Sequence, residues 1–179
     1  MLELNFEPFP VLTTERLILR RISMEDAEEL FMLRTNKEVM KYIGRPIPKA
    51  VEDVHELINN MNDNTVRIQW AIALKEKNKF IGTIGYHRIE KENYRAEVGY
   101  MIQYDYWNSG ITSEALTRVL DFGFNEMNLH SIEANINPAN DISRKVLKKF
   151  GFIKEGYFKE NYFFDGKFFD TEIYSLVKK

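Results

Sequence analysis

The most informative segment of this 179-residue sequence reads Tyr106-Trp107-Asn108-Ser109-Gly110-Ile111-Thr112-Ser113-Glu114-Ala115. A strand-like run ends here, and a small loop opens directly into a segment with the apolar spacing of an amphipathic helix. The first turn of a helix has N–H groups without intrahelical acceptors, and the helix dipole places positive charge at the same end. The segment therefore predicts a binding site for an anionic group, such as the phosphate of a ligand.

The composition describes an ordinary globular chain. A length of 179 residues with 44% apolar residues predicts one domain over residues 1–179, and no linker or repeat interrupts it. The net charge of −2 gives no reason to expect nucleic acid or an anionic membrane as partner. The absence of Cys excludes disulfides, cysteine nucleophiles and cysteine-based zinc sites. Acidic residues near the N-terminus and the lack of a membrane-length apolar run favour the cytoplasm.

Hydrophobic periodicity on both sides of the loop predicts a mixed α/β domain. Before the loop, the predicted elements are a strand over Arg16–Arg20, a helix from Ser23 to about Arg34, a helix from about Val51 to Met61, and a hairpin of Val66–Leu74 with a strand from Phe80. A strand over roughly Ala96–Tyr104 leads into the loop, and a helix from Ile111 to Phe124 follows it. The remaining elements are a strand over Ser131–Ile136, a helix between Asn140 and Gly151, and two aromatic-rich strands around Asp165-Gly166.

The loop could also be a plain strand-to-helix connection, because one glycine is weak evidence. Neither the dinucleotide-binding fingerprint nor the Walker sequence occurs, since Gly82 and Gly85 lie inside a strand pattern and no Gly-Lys-Ser/Thr follows Gly110. Nicotinamide-dependent enzymes and P-loop nucleotide hydrolases are therefore disfavoured.

Several short motifs, in their order along the chain, resemble the GNAT superfamily of acetyl-CoA-dependent N-acetyltransferases. The family motif Gln/Arg-x-x-Gly-x-Gly/Ala matches Trp107 to Thr112, and the following Ser113-Glu114-Ala115 is similar to the Thr-Glu-Ala of the ribosomal-protein N-acetyltransferase branch. Further marks of that branch are Thr14-Glu15-Arg16-Leu17-Ile18-Leu19-Arg20, Glu97-Val98-Gly99-Tyr100, Asn140-Asp141-Ile142-Ser143 and Gly151-Phe152 followed by Glu155-Gly156. Trp107 and Thr112 depart from the family pattern. Thr112 keeps its backbone donor, so we expect it to weaken phosphate binding only modestly.

The resemblance implies an α/β (α+β) fold with a mixed, mostly antiparallel sheet of about seven strands and helices on both faces. It also implies three sets of contacts with acetyl-CoA. The pyrophosphate would be held by the backbone of Asn108, Ser109, Gly110, Ile111 and Thr112; the pantetheine arm would pair with the backbone of Met101, Ile102 and Gln103; Asn140 would contact the same arm.

Acetyl transfer to an amine requires a base for the amine and a proton donor for the departing thiolate. By the same resemblance, Glu97 is the candidate base, although a surface carboxylate on a strand would look the same in sequence. The frequent catalytic Tyr of the family is replaced here by Leu147. Ser143 is therefore the candidate proton donor and a further contact of the coenzyme, the alternative being a solvated helix serine.

No other catalytic constellation competes. His55, His87 and His130 lack metal-ligand spacing, so no metal is expected, and the missing Gly-x-Ser-x-Gly motif favours direct attack in a ternary complex.

We expect a protein or peptide N-terminal α-amino group as acceptor, because its pKa of about 8 leaves part of it neutral near pH 7. A polyamine or another small amine, and a non-catalytic acetyl-CoA-binding domain, remain open alternatives. The aromatic C-terminal strands would serve as core or as the interface of a homodimer.

Overall fold

The computed structural model describes residues 1–62 and 67–178. Within them the chain forms eight strands, β1 Leu12–Thr13, β2 Leu17–Arg20, β3 Ile68–Leu74, β4 Lys79–Glu90, β5 Arg95–Ile102, β6 Ser131–Ile136, β7 Ile153–Phe164 and β8 Lys167–Val177. The five α-helices of the same residues are α1 Ala27–Thr35, α2 Lys37–Met40, α3 Glu52–Met61, α4 Ile111–Asp121 and α5 Asp141–Lys149. A 3-10 turn, Met24–Asp26, precedes α1, and a π-helical turn, Phe122–Glu126, extends α4. Every predicted element is present, although Val66 lies outside the described residues.

The strands form one sheet in the order β1-β2-β3-β4-β5-β6-β8-β7. All neighbours are antiparallel except β5 and β6, which are parallel. This confirms the mixed, mostly antiparallel sheet, with one more strand than the seven expected. The additional strand, β1, has two residues and pairs with Ile18 and Leu19. It is too short to produce an alternating pattern in the sequence.

The sheet is covered on both faces, as predicted. Trp70 and Ile72 of β3 pack in the cluster that contains α4, whereas Ala71 between them packs in the cluster that contains α1 and α3. Trp70 is fully buried, and its ring meets the edge of Phe122 at 5.3 Å between centroids. Because successive side chains of a strand point to opposite faces, β3 is apolar at nearly every position.

The connection from β5 through α4 to β6 determines where a ligand can bind. The two parallel strands pair at only three positions, which end at Glu97 and Glu133. Beyond this point β5 continues to Ile102 and β6 to Ile136, but they are no longer paired. The separation opens a gap in the middle of the sheet, and its apex lies at Glu97.

The C-terminal hairpin carries exposed aromatic residues. Tyr157, Phe158, Phe163 and Phe168 are between 49% and 63% exposed, so of the two roles predicted for them, core or interface, these four do not form core. Their role in a homodimer stays a prediction. Over residues 1–62 and 67–178, no helix combines the length and the apolarity needed to cross a membrane.

Candidate active site

A cavity of about 450 Å³ occupies the gap between β5 and β6. Its walls come from β5, the loop before α4, the first turn of α4, β6, α5 and the segment Glu38–Ile43 around α2. The predicted residues that line it are Met101, Ile102, Asn108, Gly110, Thr112, Asn140 and Ser143. Since α4 packs on one face of the sheet and Val39 of α2 packs on the other, the walls of the cavity come from both faces. Neither α2 nor its part in the cavity wall was predicted from the sequence. The available signal was Asn36, a residue type that favours helix N-caps, and its side chain accepts hydrogen bonds from two backbone N–H groups of α2.

The loop before α4 presents backbone donors to this cavity. Asn108 and Gly110 have φ angles of 59° and 81°, a left-handed conformation that glycine adopts without strain. Helical hydrogen bonding begins with the Glu114 N–H, which donates to the Gly110 carbonyl at 3.0 Å. The N–H groups of residues 111–113 therefore have no intrahelical acceptor, and no described side chain caps this end of α4. The predicted anion site is thus open.

Two of the predicted loop residues direct their side chains away from the cavity. The side chain of Ile111 is buried in the core, and the Ser109 hydroxyl donates to the Tyr106 carbonyl at 2.6 Å. Only their backbone groups can serve the anion site.

A clamp formed by Arg16 and Glu114 fixes the loop to β2. The Glu114 carboxylate accepts hydrogen bonds from the Thr14 hydroxyl at 2.5 Å, the Arg16 N–H at 2.8 Å and the Arg16 Nε at 2.6 Å. Arg16 also donates from its guanidinium to the Ser109 carbonyl at 3.1 Å. Burial tends to raise the pKa of Glu114, but these hydrogen bonds outweigh it and lower the pKa. Two motifs that are far apart in sequence therefore act together to hold the loop.

The edge of β5 offers free backbone groups to the gap. The Gln103 N–H donates to the Ile81 carbonyl at 2.9 Å, so the odd-numbered residues of β5 pair with β4. Beyond the last pair with β6, Tyr100 consequently directs both its N–H and its C=O toward the side that β6 has left, and Val98 directs its C=O there. Gln103 does not line the cavity, and Met101 turns its backbone to β4. Of the three residues that the sequence predicted, Met101 and Gln103 therefore turn their backbone to β4, whereas Ile102 faces the gap and its carbonyl accepts a hydrogen bond from the Trp107 Nε1 at 2.9 Å.

A pair of hydroxyl groups lies where the sequence lacked a proton donor. The Asn140 Oδ1 accepts a hydrogen bond from the Ser143 N–H at 3.1 Å, which confirms Asn140 as the cap of α5. The Tyr100 Oη lies 2.9 Å from the Ser143 Oγ. Leu147, fully buried in the same wall, has no proton to give. Burial raises the pKa of Tyr100 to about 12, so its phenol keeps its proton at neutral pH.

Glu97 lies at the apex of the gap, next to the cavity residues Val98 and Gly99. Its side chain is 18% exposed, and the Arg88 Nε lies 3.3 Å from its Oε2. Burial raises the pKa of Glu97 and outweighs the opposing charge of Arg88. In the part of the chain that the structure describes, the Oε2 atom has no hydrogen-bond partner. A partly buried carboxylate with a raised pKa, whose Oε2 accepts no hydrogen bond and only faces the charge of Arg88, is suited to accept a proton.

The histidines do not form a metal centre with one another. Among the described residues, no group of three or more His, Asp or Glu side chains could hold a metal ion.

Comparison with known proteins agrees with this geometry. Residues 16–153 match the family model of the acetyltransferase (GNAT) domain. The uncharacterized N-acetyltransferase YoaA of Bacillus subtilis is 36% identical over 173 residues, which cover 95% of this chain and 98% of YoaA. A GNAT-family acetyltransferase structure from Bacillus anthracis has a TM-score of 0.84 at 30% identity and covers 94% of this chain and 98% of its own.

A more distant structure carries ligands. The spermidine N-acetyltransferase of Vibrio cholerae in complex with CoA and spermine has a TM-score of 0.80 at 22% identity, over 90% of this chain and 95% of its own. At that identity the likeness concerns the fold. The family match and the Bacillus relatives show that the chain belongs to the GNAT acetyltransferase family and is an acetyl-CoA-dependent N-acetyltransferase.

Proposed function

We propose that this enzyme acetylates the N-terminal α-amino group of a protein or peptide by direct attack within a ternary complex, in the cytoplasm. One observation carries the proposal. The gap between β5 and β6 joins an open anion site at α4 to a carboxylate of raised pKa at its apex. A carboxylate is a weak base even after such a shift, so it suits an amine that is already partly neutral. An α-amine with a pKa of about 8 meets this condition better than a lysine or polyamine nitrogen with a pKa of about 10.

The residues at the loop fit the diphosphate of acetyl-CoA. The free N–H groups of residues 111–113 would donate to it, and the dipole of α4 favours negative charge there. The Lys149 Nζ lies 3.3 Å from the Ser113 Oγ and adds positive charge at the same helix end. The open backbone groups of Val98 and Tyr100 would pair with the amide-containing arm, much as a third strand would. Acetyl-CoA supplies a thioester whose acyl carbon is the electrophile.

The side chains around the gap can then move both protons of the reaction. As the amine nitrogen bonds to the acyl carbon, Glu97 accepts the proton that the nitrogen loses, directly or through water. The carbon–sulfur bond breaks, and the sulfur takes a proton from the Ser143 hydroxyl. Tyr100, in contact with Ser143, replaces that proton and in turn takes one from solvent, which closes the proton balance. The geometry thus supports Ser143 as the donor in place of a tyrosine at position 147, with Tyr100 behind it.

An acceptor screen tests this proposal. Acetyl-CoA is offered with peptides that have free N-termini, with the same peptides blocked at the N-terminus but carrying lysine, and with spermidine and spermine. Thiol release and the product mass are measured. We expect acetylation of the free N-terminal peptides and none of the blocked ones. Acetylation of polyamines alone would show that the acceptor assignment is wrong. Binding of acetyl-CoA without acceleration by any amine would instead indicate a coenzyme-binding domain without turnover.

A further inference from the structure

Arg34 is a buried cation without a counter-ion among the described residues. It lies in α1 and is 4% exposed, yet it forms no ion pair with a described carboxylate. One terminal nitrogen donates to the Pro46 carbonyl at 3.4 Å, and Nε has no partner within the described ranges. Burial and the charge of Arg45 lower the pKa of Arg34 to about 10, so it remains positive near pH 7. A buried, unpaired charge is costly unless an anion compensates it.

Other arginines gather beside the candidate base. Tyr86 pairs with Ile68, and this register places Arg67 across from His87. His87 in turn pairs with Glu97, so the three residues form a row across neighbouring strands on one face.

The charges of Arg45, Arg67 and Arg88 all act on the His87 side chain. Burial first, and then these three charges, lower the pKa of His87 to about 4, so His87 is neutral near pH 7. The charge of Arg45 also acts on the Glu97 carboxylate.

The described carboxylates beside this row already have arginine partners. Glu97 is paired with Arg88 at 3.3 Å, and Glu133 lies 3.7 Å from Arg95. On the wall at α2, Glu38 and Lys41 both line the cavity and offset one another. Within residues 1–62 and 67–178, Arg34, Arg45 and Arg67 form no ion pair with a carboxylate, so they leave a surplus of positive charge on the face of the sheet that carries α1 and α3.

We infer that the acceptor carries a negative group beside its amine, as a peptide does whose N-terminal residue is followed by Asp or Glu. This inference rests on the proposed function and narrows it. The amine would face Glu97 while the acidic side chains meet the arginine cluster of Arg45 and Arg67, to which the buried Arg34 adds positive charge. A polyamine would bring several positive charges to the same surface, and like charges at an interface select against a partner.

The test uses three peptides that begin with the same residue and differ only at the next two positions. These two positions are both acidic, both amide or both basic, for example Ala-Asp-Glu, Ala-Asn-Gln and Ala-Lys-Arg. The kcat/KM for each is measured by product mass. Fluorescence anisotropy of labelled, N-acetylated versions reports binding without turnover. We expect the acidic peptide to exceed the amide peptide by about tenfold and the basic one to be poorest, with differences that shrink at high salt.

Arg45→Glu is the decisive variant, because Arg45 is exposed and the change does not disturb the core. We expect it to bring the acidic and basic peptides to equality or to reverse their order. The matched control is Lys77→Glu, the same charge reversal on the exposed turn at the opposite end of the β3–β4 hairpin, which should keep the original order.

Equal use of all three peptides, a preference for the basic one, or an unchanged order in Arg45→Glu would overturn the inference while leaving N-acetylation intact. If no amine is acetylated at all, the proposed function fails, and the anisotropy order alone decides whether the cluster binds acidic peptides.

Discussion

The hydroxyl oxygens of Tyr100 and Ser143 lie 2.9 Å apart and join β5 to α5 across the cavity. Each group alone would be an unremarkable polar side chain. Together they would provide the proton path of the proposed mechanism, at the place where the helix carries Leu147 instead of a tyrosine. The pKa of Tyr100, raised to about 12 by burial, keeps the phenol protonated, so it can donate to Ser143 throughout the neutral range.

The first prediction concerns this pair. We expect Ser143→Ala to lower kcat about 10- to 100-fold with little change in the KM for acetyl-CoA, because the loss falls on the departing sulfur rather than on binding. Tyr100→Phe keeps the ring and removes only the hydroxyl, and we expect a smaller loss of kcat. Since the two groups act in series, the double variant should be no slower than Ser143→Ala alone. Fully additive losses, or an unchanged kcat in Ser143→Ala, would remove the pair from the mechanism.

Glu97 gives a prediction about pH. A base works in its deprotonated form, so kcat/KM should fall as pH drops through the pKa of Glu97. Because burial raises this pKa, the acid limb of the pH profile should lie above the ordinary value of 4.5. Glu97→Gln should abolish the limb and lower kcat/KM about 100-fold or more.

Arg88→Asn tests the same assignment from the other side. Arg88 is 73% exposed, and Asn tolerates its φ of 42°. The charge of Arg88 lowers the pKa of Glu97, so its removal should shift the limb to higher pH. A limb that stays in place in Arg88→Asn, or survives in Glu97→Gln, would point to another base.

Gly110 allows a test of the anion site that separates binding from backbone strain. Its φ of 81° disfavours a side chain, so Gly110→Ala should cost about 1–2 kcal/mol and turn the loop amides away from the ligand. We expect the Kd for acetyl-CoA to rise about tenfold.

Gly166→Ala is the matched control for this change. It introduces a similar φ conflict, at 76°, in the remote β7–β8 turn, where a Cβ would meet nothing within 4 Å. Calorimetric titration should show an unchanged Kd in this control, and a parallel rise in both variants would mean that the effect is global.

The clamp makes a prediction about stability. Glu114→Gln weakens the hydrogen bonds and charge pairing with Arg16, and we expect the free energy of unfolding to fall by about 1 kcal/mol at pH 7, since Arg16 is half exposed. The pKa of Glu114 is lowered in the fold, so this contribution is present above its ordinary value of 4.5 and is lost as pH falls through the lowered pKa. Urea unfolding should therefore show the difference between wild type and variant shrinking under acid. A difference that is constant with pH would contradict the role of the charge.

Sequence reasoning recovered the elements that depend on local pattern. The bounds predicted for Ser131–Ile136 match β6, and Asn140 caps α5 as expected, because alternation and capping are properties of neighbouring residues. It missed β1 and α2, since two to four residues are too few to show a period.

The contacts that define the chemistry could not be read from local pattern. Tyr100 and Ser143 are 43 residues apart, and Arg16 and Glu114 are 98 apart, so both pairs meet only through the tertiary fold. The same holds for the backbone of β5. Whether Met101 or Tyr100 faces the gap is decided by the pairing register with β4, which the sequence of β5 alone does not specify.

In the proposed mechanism, backbone donors before α4 hold the diphosphate of acetyl-CoA and so place its thioester beside Glu97 and Ser143. The most direct measurement is a crystal structure of the enzyme with acetyl-CoA. We predict diphosphate oxygens within hydrogen-bonding distance, about 3 Å, of the N–H groups of residues 111–113, with the coenzyme arm along Val98 and Tyr100. Phosphates bound elsewhere, with this loop contacting only solvent, would contradict the account.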